Sequence, residues 1–175
     1  MRLIKMFLAG LIGLFIFITL LSLLIPAHPK VSRTVIINIG KNEKIFAQVA
    51  DLNNWKNWQP LFLSDDAKVL FGKINKGEDG ACDIMYNNKT THLKILKTDS
   101  SSVTFSLQAA GENDITNQIF ISSMQPQQQT RVDWVATTHL HWYPWEKFYA
   151  IFIDKLTGPG YEASLNGLKQ FSETH

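Results

Sequence analysis

Twenty consecutive residues, Met6 to Ile25, carry no charge. A helix of them rises ~1.5 Å per residue and spans ~30 Å, the thickness of a bilayer's hydrocarbon layer. The run is therefore read as one membrane-spanning helix. The competing reading is a cleaved leader, whose apolar region usually covers only ~7–15 residues. Ile25-Pro26-Ala27-His28-Pro29 also offers no clear small-x-small cleavage site, so an uncleaved anchor is expected. Gly10 and Gly13 do not form a GxxxG pair, and no helix dimer is inferred.

Arg2 and Lys5 precede the run, whereas Lys30, Arg33, Lys41 and Lys44 follow it, a bias that taken alone places the remainder in the cytoplasm. A long folded domain can translocate despite its charges, and a short basic start before a long apolar run is the signal-anchor pattern. The expectation is a single-pass protein with an extracytoplasmic domain. Pro26 and Pro29 stop the helix and form a short stiff spacer. Residues 1–30 are thus anchor and spacer, and residues 31–175 one domain, long enough to bury roughly two-thirds of its unfolded surface.

Three of the 17 basic residues lie in the anchor and spacer, leaving 14 against 15 acidic ones in the domain. A near-neutral domain without a Lys/Arg cluster lacks the footprint of a nucleic-acid binder. Cys82 is the only cysteine, which excludes an intrachain disulfide and a cysteine-based zinc site.

Within the domain, Val31 to Ile39 alternates and is β-branched, predicting a first strand. Asn42 is placed to cap a helix from Glu43 to about Asp51, with Ile45, Phe46 and Val49 inward. A short helix is predicted over Asn53 to Trp58, closed by Pro60. Turn residues at Gly72 to Gly80, Asn87-Asn88, Ser100-Ser101, Gly111 to Asp114 and Gln125 to Gln129 then separate strands near 67–72, 81–87, 90–98, 102–110, 114–124 and 130–141. Short connections predict a meander in which neighbours in sequence pair.

From Trp145 to Glu173, Phe148, Ile151, Phe152, Leu156, Tyr161, Leu165 and Leu168 recur at helical spacing and predict one broad apolar stripe. Thr157-Gly158-Pro159-Gly160 is expected to break this helix into two coaxial or kinked pieces. A stripe that long needs a partner surface. The predicted fold is α+β: a seven-stranded curved antiparallel sheet around a long C-terminal helix, preceded by one transmembrane helix.

Three passages carry a family resemblance. They are Asp51-Leu52-Asn53-Asn54-Trp55-Lys56-Asn57-Trp58-Gln59-Pro60, Thr130-Arg131-Val132-Asp133-Trp134, and the run from Gly158 to Lys169. With the order of elements they resemble the START-like (SRPBCC) superfamily, specifically its membrane-anchored bacterial polyketide cyclase/dehydrase and lipid-transport group. The sequence departs from that pattern around Asp83 to Asn88, where related chains often carry Trp and Gly. The resemblance implies a helix-grip fold with a cavity between sheet and helix for lipids, sterols, polyketides or similar bulky apolar molecules. The residues expected to contact such a ligand are Trp55, Trp58, Phe105, Trp134, His139, Phe148 and Phe152.

Signals for chemistry are sparse. His139 and His141, two apart on a predicted strand, share a face, but a mononuclear metal site needs a third ligand and His92 lies on another strand. Asp133 alternates with Val132 and Trp134 and so is expected to point to water if they point inward. No Ser-His-Asp order, phosphate-cradling glycine loop or HExxH pattern is present. Trp55 and Trp58 are read as packing of a short helix in preference to an aromatic gate, and Trp142, Tyr143 and Trp145 as core.

The expected function is a membrane-tethered binding module for an apolar small molecule, with no metal, cofactor or nucleic-acid partner. A cyclase/dehydratase-type enzyme acting by proton transfer is the alternative, with no catalytic residue assigned, and a protein-binding domain with a closed core is the third reading. The residues specify no oligomeric state.

Overall fold

The computed structural model describes residues 2–175. The uncharged run forms α1 (Arg2–Ser22), in which Ser22 alone is buried. It is long and apolar enough to cross a membrane. The chain then forms β1 (Lys30–Ile37), α2 (Asn42–Ala50), a 3-10 helix (Leu52–Asn57) and α3 (Pro60–Leu63). Six strands follow: β2 (Lys68–Phe71), β3 (Ala81–Tyr86), β4 (Lys89–Thr98), β5 (Ser102–Ala109), β6 (Ile115–Met124) and β7 (Gln129–Thr138). Helices α4 (Pro144–Ala150) and α5 (Ile153–Thr174) end the chain.

The seven strands form one antiparallel sheet in the order β1-β7-β6-β5-β4-β3-β2. From β2 to β7 it is the predicted meander. The first strand departs from it: β1 pairs with β7, setting Val31 opposite Ala136 and Val35 opposite Val132, and never meets β2. The two are opposite edges of the sheet, and the segment from α2 to α3 carries the chain from one to the other. A tight turn with Asn87 and Asn88 both at positive φ joins β3 to β4, as its Asn-Asn sequence suggests. A register shift at Ile95 and Lys97 marks a bulge between β4 and β5, a feature that bends and twists a sheet.

Alternation sorts the faces. Along β7, Thr130, Val132, Trp134, Ala136 and Thr138 are buried, while Asp133 turns outward to accept hydrogen bonds from Thr34 and Arg131. The strand stops at Thr138, short of the predicted 141, because its partner strand begins only at Lys30. Beyond that point the chain is held by the spacer: the Thr138 and Leu140 N–H groups donate to the Pro29 and Ala27 carbonyls at 3.1 and 3.0 Å.

Helix α2 buries Ile45 and Val49 against the sheet. Asn42 is not its cap; its Oδ1 accepts from the Thr130 hydroxyl at 2.7 Å, tying the helix start to β7. In the 3-10 helix the Asp51 carboxylate accepts the Asn53 N–H. Trp55 and Trp58 are 2% and 1% exposed, and their indoles donate to the Val49 and Gln48 carbonyls. They are core residues with satisfied N–H groups. Pro60 does not close this segment. It opens α3, where the Gln59 side chain caps the N–H groups of Leu61 and Phe62 and proline stands in the first turn, the place that tolerates it.

The break in the C-terminal helix falls at Ile151-Phe152, and α5 runs unbroken through Gly158-Pro159-Gly160. An interior proline costs about 3 kcal/mol. Burial of Leu165 and Leu168 beyond it offsets this, since each fully buried leucine contributes about 1.5–3 kcal/mol. The displaced break also divides the apolar stripe. Tyr161, Leu165 and Leu168 face the core, but α4 is swung onto the end of α1, leaving Ile151, Phe152 and Leu156 exposed.

Two glycines set how closely α5 approaches. A Cβ on Gly167 would lie 2.1 Å from the Trp58 carbonyl oxygen, and one on Gly158 2.1 Å from the Arg33 guanidinium. That guanidinium, from β1, donates two hydrogen bonds to Asp154 and one to Glu162 across the helix. The run from Gly158 to Lys169 is thus a packing signature.

Candidate functional site

Between the concave sheet, α3 and the first half of α5 lies a cavity of about 610 Å³. Strands β3, β4 and β5 supply Ile84, Leu93, Phe105 and Leu107 to its wall, and β7 supplies Trp134. Trp55, Leu61 and Phe62 close one side and Tyr161 and Ser164 the helix side. Tyr86, Glu112 and Gly160 also line it and are exposed, so they mark its rim.

Phe105 meets both tryptophans of the wall edge to face, and Tyr161 leans on Trp134 at a tilt. Phe105 packs at 5.2 Å from Trp55 and 5.9 Å from Trp134, and Tyr161 lies 5.2 Å from Trp134. Trp134 is pinned by its indole N–H, which donates at 2.9 Å to Oδ1 of the fully buried Asn117. The Asn117 Nδ2 has no partner among the described residues. Register places Asn117 directly opposite Phe105 and two residues from Ile115, both on the cavity wall.

Of the seven expected contact residues, Trp55, Phe105 and Trp134 lie on this wall. The other four lie elsewhere. Trp58 is packed under α5, in contact with Gly167. His139 is exposed past the end of β7, its Nε2 3.0 Å from the Thr116 hydroxyl. Phe148 and Phe152 belong to α4 and the break after it, which the turn toward α1 carries off the sheet.

His141 diverges from His139, bonding through Nδ1 and its backbone N–H to Glu146. Among the described residues no group of three His, Cys, Asp or Glu side chains is placed to hold a metal ion. His92 lies exposed on β4, hydrogen-bonded to Asp83 on β3.

The lining residues not anticipated are instructive. Leu61 and Phe62 were hidden by reading Pro60 as a stop; a proline at a helix start was the available signal. Tyr161 lay in the stripe but was not separated from it. Burial pushes its phenol up to about 12, so at neutral pH it keeps its proton and can donate a hydrogen bond. Burial, with Asp83 beside it, likewise pushes the Cys82 thiol up to about 12, which leaves it a core group and not a nucleophile.

No family model and no curated protein matches the chain. Solved structures do. Truncated norcoclaurine synthase from Thalictrum flavum is similar with a TM-score of 0.65 at 12% identity, over 85% of this chain and 95% of that one. A Nitrosospira multiformis protein gives 0.62 at 12% identity, over 81% and 94%. A hypothetical protein of Helicobacter pylori gives 0.60 at 11% identity, over 82% and 87%. At such identities the likeness is one of fold: the helix-grip sheet and C-terminal helix, with an additional apolar helix at the N-terminus here.

Proposed function

We propose that the protein is a membrane-tethered binding module that holds one bulky apolar molecule between its sheet and α5. The single observation that carries this reading is the 610 Å³ cavity walled by aliphatic and aromatic side chains, a volume within the ~300–1,000 Å³ of small-molecule sites. The apolar length of α1 supports the tether, with residues 1–30 acting as anchor and spacer and the remainder as the binding domain. A lipid, sterol-like or polyketide-like molecule fits such a wall, and the Tyr161 phenol offers it one hydrogen bond.

A second reading is catalytic, because norcoclaurine synthase, an enzyme by name, shares the fold. The ionisable groups lining the cavity are Tyr86, Tyr161 and the rim residue Glu112, which is ion-paired with Lys89. Tyr161 keeps its proton and can serve only as an acid, while the one carboxylate among the described lining residues, Glu112, is held at the exposed rim by Lys89 and leaves the interior without a base. Binding without turnover is therefore the favoured reading.

Gly160 provides the test. A Cβ there meets nothing within 4 Å, so Gly160→Phe can place a ring at the rim without a backbone clash. The full chain in mild detergent is titrated with a fluorescent apolar probe. Saturable binding near one probe per chain, reduced in Gly160→Phe while its thermal midpoint is kept, is expected. Equal binding by both proteins contradicts the proposal.

A further inference from the structure

We infer that the segment joining β7 to α5 is a bilayer-seating surface that rests in the headgroup layer beside α1; this depends on the reading of α1 as an anchor. Within fifteen residues, Trp142, Trp145, Tyr149, Ile151, Phe152 and Leu156 are all between 52% and 68% exposed. The sequence alone assigned the first two to the core and the last three to the helix face that grips the sheet. In the fold, all six meet neither.

Position identifies what covers them. The last turn of α1 packs on α4, burying Ser22, and the Lys147 ammonium donates to the Ile25 carbonyl at 3.1 Å. Ile25 is the last residue of the uncharged run, so α4 lies level with the plane where that run leaves hydrocarbon. His139 is stacked edge-on against His28 at 5.1 Å, and the Leu140 N–H is bound to Ala27, so the surface cannot drift from the anchor without breaking these contacts.

Composition fits the same depth. Tryptophan and tyrosine favour the water–hydrocarbon boundary, where one end of the ring is wet and the other apolar. Ile151, Phe152 and Leu156 supply the side chains that would reach the acyl boundary. The carboxylates nearby have partners within the protein, Glu146 in His141 and the half-exposed Asp154 in Arg33, so neither reaches the headgroup layer unpaired. Phe152 and Leu156 continue at helical spacing into Gly160 and Ala163, which line the cavity. The seated face therefore borders the cavity rim, and a ligand drawn from the bilayer would cross lipid-covered surface instead of water.

The experiment uses the full chain in vesicles of phosphatidylcholine and phosphatidylglycerol, in a Cys82→Ser background. Single cysteines at Phe152 or Trp145, at Phe15 within α1, and at Gln127 carry an environment-sensitive fluorophore. Gln127 lies in the turn before β7, at the far end of that ten-residue strand and ~30 Å from α4, and serves as the aqueous control. An interfacial surface sits only ~5–10 Å into the lipid, so the Phe152→Cys and Trp145→Cys labels should lose more emission to headgroup-level nitroxide lipid than to mid-chain nitroxide. They should also resist aqueous iodide, which quenches the label at Gln127. The Phe15→Cys label should be quenched by mid-chain nitroxide. Iodide quenching at Phe152 and Trp145 with Phe15 still in lipid overturns the inference and leaves the anchor standing. Shielding from both quenchers, with crosslinking between copies, assigns the surface to a protein partner and also overturns it. A Phe15 label outside lipid removes the anchor reading together with this one.

Discussion

Asn117 and Trp134 show how one hydrogen bond fixes the cavity wall. Asn117 is fully buried and, among the described residues, its side chain's one partner is the indole N–H of Trp134, so removing that donor leaves the whole amide unpaired. Trp134→Phe is expected to destabilise the chain by about 1–3 kcal/mol, the cost of an unsatisfied buried polar group, as read by denaturant unfolding. Trp134→Phe/Asn117→Leu should recover part of that loss, because an apolar pair needs no partner; a double variant no better than the single one contradicts this account. Trp134 is legible as a wall residue from its place in the Thr130–Trp134 passage, but its bond to Asn117 is not, because that contact lies seventeen residues away on the neighbouring strand.

Helix α5 is positioned by its glycines and by Arg33. At Gly167 an added Cβ meets a backbone carbonyl that cannot move aside, and at Gly158 it meets the far end of a flexible side chain. Gly167→Ala should therefore cost more than Gly158→Ala, about 1–3 kcal/mol as for overpacked cores, and thermal unfolding of the two variants gives the ranking. The Arg33 hydrogen bonds hold the Asp154 carboxyl below its ordinary range. A group with a depressed folded pKa contributes stability above its unfolded value, near 3.8, and loses it as pH falls through the folded one. Asp154→Asn should lower the thermal midpoint at neutral pH, with the deficit vanishing in acid; a deficit constant with pH contradicts the assignment. The position of the helix break was not legible for a related reason. Glycine and proline signal local weakness, but burial of Leu165 and Leu168 overrides it, and the swing at Ile151-Phe152 follows from α4 packing on α1.

For the whole molecule, two-residue alternation and turn residues were enough to predict seven strands and their antiparallel sense. They could not place β1 at β7, because edge pairing is decided by where the α2–α3 segment crosses the concave face. The cavity was the least legible part, since a wall contributed by the 3-10 helix, α3, five strands and α5 has no signature in any one of them. The central claim is that this cavity holds an apolar molecule, and native mass spectrometry of the full chain, extracted gently from membranes, tests it most directly. The account predicts one co-purifying lipid- or polyketide-sized mass per chain, released on unfolding and reduced in Gly160→Phe. A ligand-free mass that persists after incubation with membrane lipids would contradict it.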